Sequence, residues 1–251
     1  MSGISGVSSQ NSYTALASGY KINSAADNAA GLAISEKLLA QENGYTVGSE
    51  NAKSGQDLLN VADGALSGIQ DSLQRIRELS VKSMNGIYSD SDRQSIQNEI
   101  DGLLQSIQDV AKGTTFNTMK LLDGSMADID LATNPQGGTL SIQMVNSTLE
   151  ALGIADYDVT KDFDLNAIDE AIDKISTARS TIGAQTNALN HTIKYNDYSS
   201  FNLASANSGM KDTDYGEEMV KKNRDEVLEQ YRLFGIKSQM NDGASVLKLF
   251  T

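Results

Sequence analysis

His191 is the only histidine in this 251-residue chain, and there is no cysteine. An HExxH zinc site needs two histidines, so that chemistry is excluded. The lack of cysteine also excludes disulfides, thiolate metal sites and cysteine nucleophiles. A serine triad would have to rest on His191 as its base; the residue lies in a helical pattern and reads as a packing or surface position. Asp162-x-Asp164-x-Asn166 opens like a calcium loop. Its sixth position is Ala167 where glycine is required, and its twelfth is Asp173 in place of glutamate. These side chains read instead as a cap for a helix starting near 165. Asn146-Ser147-Thr148 and Asn190-His191-Thr192 match the N-glycosylation sequon, the second inside a helical run. No catalytic residue, metal site or cofactor is expected, and the chain does not read as an enzyme.

The formal net charge is −13 and the sequence pI about 4.4. Phosphate binding needs clustered Lys and Arg, so neither nucleic acid nor an anionic membrane is expected as a partner. No apolar run approaches the ~20 residues of a membrane span. The opening MSGISGVSSQNSYTALASG has neither a basic n-region nor an apolar h-region, which predicts export without a cleaved Sec-type peptide. Aromatic residues make up 6% of the chain, and Pro135 is its single proline. Little interrupts a helix, and little could fill a thick aromatic core. The expectation is therefore a mainly α fold, an elongated antiparallel coiled-coil rod.

Periodicity places the elements. Leu59, Ala62, Leu66, Ile69, Leu73, Ile76, Ser80 and Ser83 follow steps of three and four, the spacing of a coiled-coil seam. Met84-Asn85-Gly86 predicts its stop, and Ser91-x-x-Gln94 resembles a capping box for a second helix. That helix carries Ile96, Ile100, Leu103, Ile107 and Val110, so the two read as an antiparallel pair. Ala127, Ile129 and Leu131, then Leu140, Ile142 and Met144, alternate with polar residues on either side of NPQGG, a β-hairpin pattern and the only β-structure expected. Ile168, Ile172, Ile175, Ile182, Leu189, Ile193 and Leu203 form another helical seam, interrupted by Thr186, Asn196 and Ser200. A final amphipathic segment, about 214–250 and starting at Asp214-x-x-Glu217, carries Val227, Leu228, Tyr231, Phe234, Met240, Val246, Leu247 and Phe250. Such a face requires a partner to cover it.

Leu16 to Ile34, LASGYKINSAADNAAGLAI, resembles the N-terminal motif of bacterial flagellins. LQRIRELSVKSMNG (73–86), FNTMKLLDG (116–124), GAQTNALNHTI (183–193), KDTDYGEEM (211–219) and SVLKLF (245–250) match further motifs of that family, in its order. The resemblance implies a structural subunit of the flagellar filament that polymerises with itself and serves motility outside the cell. It implies an inner-core domain from residues 1–28 and the helix 212–251. Between them lies a rod domain, 29–211, with helices at about 29–84, 91–112 and 165–208 and the hairpin at about 126–146. Only a short segment separates LLDG from ALGI (151–154), so the variable outer domain of many flagellins is expected to be missing. The N-terminal part of the inner core is also expected to be shortened. Partners implied by the family are the export chaperone, the type III flagellar export apparatus, the filament cap and hook-junction proteins. The nearest alternative is a hook–filament junction protein; from another class, the chain would be a minor flagellin acting mainly as a host-receptor ligand or adhesin.

In LQRIREL, Leu73 and Ile76 belong to the seam, whereas Arg75 and Leu79 are four residues apart on another face. Spacing pairs Glu78 with Lys82. In many flagellins the residues matching Arg75, Leu79 and Glu99 form the patch contacted by the vertebrate Toll-like receptor for flagellin, and the same surface packs subunit on subunit. The resemblance thus implies one outward contact patch from these three residues. It also implies that Val227, Leu228, Tyr231, Phe234, Val246, Leu247 and Phe250 serve polymerisation and chaperone binding.

Overall fold

The structure is a computed structural model that describes the backbone of residues 12–248 and the side chains of residues 12–241. Among the described residues, six helices and two small antiparallel hairpins follow one another. They are α1 (12–18), α2 (Ala25–Ser83), α3 (Asp90–Gly113), β1 (Thr115–Phe116), β2 (Met119–Lys120), β3 (Asp128–Ala132), β4 (Thr139–Gln143), α4 (Leu149–Leu152), α5 (Leu165–Lys211) and α6 (Tyr215–Lys248). The chain divides into two compact units, residues 43–199 and residues 1–42 with 200–251.

The unit of residues 43–199 holds the main apolar core. Every residue of the first seam, Leu59 to Ser83, is buried. On α3 the buried residues are Ile96, Gln97, Ile100, Leu104, Ile107 and Ala111, and Leu103 and Val110 are half-buried against them. Ile168, Ala171, Ile175, Ala178, Ile182 and Leu189 of α5 complete the cluster. Each fully buried Leu or Ile contributes about 1.5–3 kcal/mol of hydrophobic stabilisation. Polar pairs on the flanks set the register of α2 on α5. Arg77 meets Asp169 at 2.6 Å, Gln70 meets Ser176 at 3.5 Å and Ser49 meets Asp197 at 2.7 Å. Seven residues along one helix match seven back along the other, then twenty-one match twenty-one. That is an antiparallel, heptad-based register.

α3 starts two residues earlier than Ser91-x-x-Gln94 suggests. Ser89 is the N-cap, and its reciprocal bonds with Asp92 complete the capping box. Aspartate reaches back as glutamine would, and the phase of the apolar stripe alone does not distinguish the two starts. The hairpin β1–β2 was not legible in the sequence either. Its two-residue strands are too short to alternate, and Asn117 and Thr118 both take positive φ, as a type I′ turn demands. The hairpin delivers Leu121 and Leu122 into the core.

β3 and β4 pair Ile129 with Ile142 and Leu131 with Leu140, with the polar residues outward. Three glycines of α2 make room for this hairpin. A methyl at Gly44 would fall on Pro135, at Gly48 on the Thr133 carbonyl, and at Gly55 on Leu131. Asn196 of α5, buried in the same place, donates from Nδ2 to the Thr133 carbonyl at 2.7 Å. The polar interruption of the α5 seam is thus a hydrogen bond to the hairpin turn. Gln97 holds the segment before α5. It accepts from the Val159 amide and donates to the Tyr157 carbonyl, while the Tyr157 hydroxyl donates to buried Ser80.

Residues 1–42 and 200–251 form the second unit. Asp27 accepts from the amides of Asn23 and Ser24, and Asn28 leaves the helical conformation while its side chain caps the Gly31 amide. Gly19 takes a positive φ, and its carbonyl accepts from Thr213; the Lys21 amide donates to the Lys211 carbonyl. Tyr20 lies under the Lys211 ammonium at 4.6 Å. The two motifs around residues 18–24 and 209–214 are therefore one joint.

The glycine seat yields a paired expectation. Gly48→Ala will cost about 1–3 kcal/mol by overpacking against the hairpin. Gly64→Ala meets no neighbour within 4 Å and will add about 0.5–1 kcal/mol. Urea unfolding followed by circular dichroism measures both.

Candidate functional site

Two exposed surfaces qualify as contact sites. The first lies on α2 and α3. Arg75 donates from Nε and Nη2 to a single Glu99 carboxylate oxygen, at 2.9 and 2.7 Å, and from Nη1 to Glu78 at 3.1 Å. Both the Arg75 and Glu99 side chains are half exposed. The Glu99 hydrogen bonds first, then those of Glu78, hold the Arg75 guanidinium above its usual value. Glu78 therefore bonds Arg75 one turn back, in place of the Lys82 pairing that spacing suggested; Lys82 instead stands over the Tyr88 ring.

Leu79 does not share this outward face. It is 2% exposed and belongs to the core. α2 is covered by α3 on one side and by α5 on the other, so its buried stripe includes both the third and the fourth residue after Ile76. A two-helix seam buries a narrower stripe and leaves the leucine outside. Structure thus brings Arg75 and Glu99 together and buries Leu79 in the core.

The second surface is α6. Asp214 accepts from the amides of Gly216 and Glu217 and starts the helix. Val227, Leu228, Tyr231 and Phe234, at steps of one, three and three, are all at least half exposed. With Gln230, three of them line one shallow depression. Tyr13 reaches the helix by donating to Glu226 at 2.5 Å, with Lys222 over its ring. The side chains of Val246 and Leu247, and all of Phe250, lie outside the described residues.

The candidate chemical residues are dispersed. His191 is exposed on α5, and Asp164 accepts from the Asn166 amide at the start of α5, a capping bond. Among the described residues, no group of three His, Asp or Glu side chains could hold a metal ion.

Residues 4–127 match the family model for the bacterial flagellin N-terminal helical region, and residues 165–250 match that for the C-terminal helical region. Flagellin of Halalkalibacterium halodurans is 36% identical over 86% of this chain and 82% of its own. This chain belongs to the bacterial flagellin family. A flagellar filament core protein of Brachyspira hyodysenteriae is 34% identical over 92% of this chain and 88% of its own. The crystal structure of Bacillus cereus flagellin superposes with a TM-score of 0.53 at 27% identity, over 59% of this chain and 88% of that one. As a flagellin, the chain is a structural subunit that self-assembles into the extracellular flagellar filament, and it is not an enzyme. Between the two matched regions only β3, β4 and α4 are found, and this flagellin lacks an outer domain.

The flagellin core also has a defined acid response. Asp158 is pulled down to about 2, first by its bond with Lys161 and then by Thr160. Asp27, bonded by Ser24, and Asp92, bonded by Ser89, are lowered as well. Folded values below the unfolded ~3.9 stabilise the protein above that pH and cease to do so as pH falls through the folded value. Asp158→Asn will therefore flatten the fall in stability between about pH 4 and pH 2, read from thermal midpoints across that range.

Proposed function

We propose that the subunit polymerises through both surfaces, with the exposed apolar stripe of α6 as the principal contact. The observation that carries this reading is the exposure of Val227, Leu228, Tyr231 and Phe234 on one helix. Burying them against other subunits would remove a large apolar area from water. In the unassembled chain this helix, with Val246, Leu247 and Phe250 further along the sequence, is the segment for the export chaperone, which delivers the subunit to the type III flagellar export apparatus. Addition then occurs beneath the filament cap, beyond the hook-junction proteins. Residues 1–28 and 212–251 act as the inner-core domain and 29–211 as the rod. Val227→Asp with Leu228→Asp will abolish both chaperone binding and sedimentable filaments in a seeded assembly assay. Retention of either would overturn the assignment for that partner.

The surface around Arg75 and Glu99 is the lateral contact and the ligand for the vertebrate Toll-like receptor. An arginine held in place by two carboxylates is pre-organised, which lowers the entropy cost of docking. Leu79 is buried in the core, so Leu79→Asp would test the core before it tested contact. Arg75→Ala is the cleaner probe. It will lower affinity for the receptor ectodomain by roughly tenfold while thermal unfolding stays near that of the parent chain. Unchanged affinity would remove Arg75 from the contact.

A further inference from the structure

Tyr45 of α2 and Tyr195 of α5 face each other with ring centroids 5.9 Å apart and planes at 77°. Among the described residues this is the one contact between two tyrosine rings. The Tyr195 hydroxyl beside it holds the Tyr45 phenol above its usual value. At that centroid separation an edge-to-face pair is in van der Waals contact, so tyrosyl radicals formed on the two rings are held side by side. Tyr195 is 60% exposed, so a surface oxidant reaches the pair, while Tyr45 is half-buried and held in orientation. Gly44, next to Tyr45, seats Pro135 of the hairpin turn. The pair therefore sits where three segments meet.

We propose that Tyr45 and Tyr195 are an oxidative cross-linking site, converted to dityrosine by hydrogen peroxide and a haem peroxidase. Each phenol loses one electron and its hydroxyl proton. The two tyrosyl radicals join by one carbon–carbon bond between ortho positions, and the ortho hydrogens move onto the oxygens. The protein loses two hydrogen atoms in all, and one peroxide is reduced to two waters. The product ties α2 to α5 beside the hairpin turn. The chain has no cysteine, so this is the covalent staple available to it in an oxidising exterior. Joining residues 45 and 195 closes a long loop, which restricts the unfolded chain most.

The test treats the full-length monomer with a haem peroxidase and hydrogen peroxide, then digests it with trypsin. Tyr45 falls in the peptide 38–53 and Tyr195 in the peptide 195–211. Mass spectrometry is expected to find these two joined within one chain, lighter by two hydrogens than their sum. The product should run faster on a denaturing gel and unfold at a higher temperature. Tyr45→Phe and Tyr195→Phe, which remove only a hydroxyl, will each abolish the joined peptides. Tyr198→Phe, altering the exposed tyrosine one turn away, will leave them. Dityrosine confined to links between chains would overturn the proposal, as would loss of the joined peptides in Tyr198→Phe.

Discussion

α2 must be covered on two sides at once, and most of the unit of residues 43–199 follows from that requirement. Its seam from Leu59 to Ser83 is buried throughout, and a single neighbouring helix would leave part of it wet. α3 folds back to cover one flank, and α5 returns to cover the other in heptad register. The same geometry pulls Leu79 inward and leaves Arg75 with carboxylate partners at the surface. Apolar burial supplies the stabilisation, while the exposed ion pairs chiefly select register and orientation.

The hairpin is the second constraint. A helix interior normally disfavours glycine, by about 0.5–1 kcal/mol relative to alanine. α2 nevertheless carries Gly44, Gly48 and Gly55 under the hairpin. Their missing side chains allow β3–β4 to approach the helix backbone closely, and Asn196 secures the turn from α5. Local helix propensity is sacrificed where it permits a tertiary contact, and Gly64 and Gly68 meet no such neighbour.

The surfaces of this flagellin differ in physical character. Around Arg75 the surface is polar, with a guanidinium held between two carboxylates, and suits oriented recognition. Along α6 it is apolar and exposed in the isolated subunit, and suits burial in an assembly. A chain with net charge −13 can carry such a stripe and still repel its copies until it is placed.

The sequence by itself determined the mainly helical class, the seam of α2, most of the seams of α3 and α5, the two alternating runs of the β3–β4 hairpin, and the apolar stripe of α6; the pairing of Ile129 with Ile142 and the burial of Leu104 and Ala111 were added by the structure. Period and alternation record which face of an element is apolar, and that information is local. Only the tertiary structure decided how many neighbours each face has. Hence Leu79 is core, Glu78 bonds Arg75, Ser89 rather than Ser91 caps α3, and Asn196 serves the hairpin turn. The glycines at 44, 48 and 55 were visible as letters, but their use depends on a hairpin some eighty residues away in the chain. Tyr45 and Tyr195 likewise meet only because α5 comes back along α2 in that register.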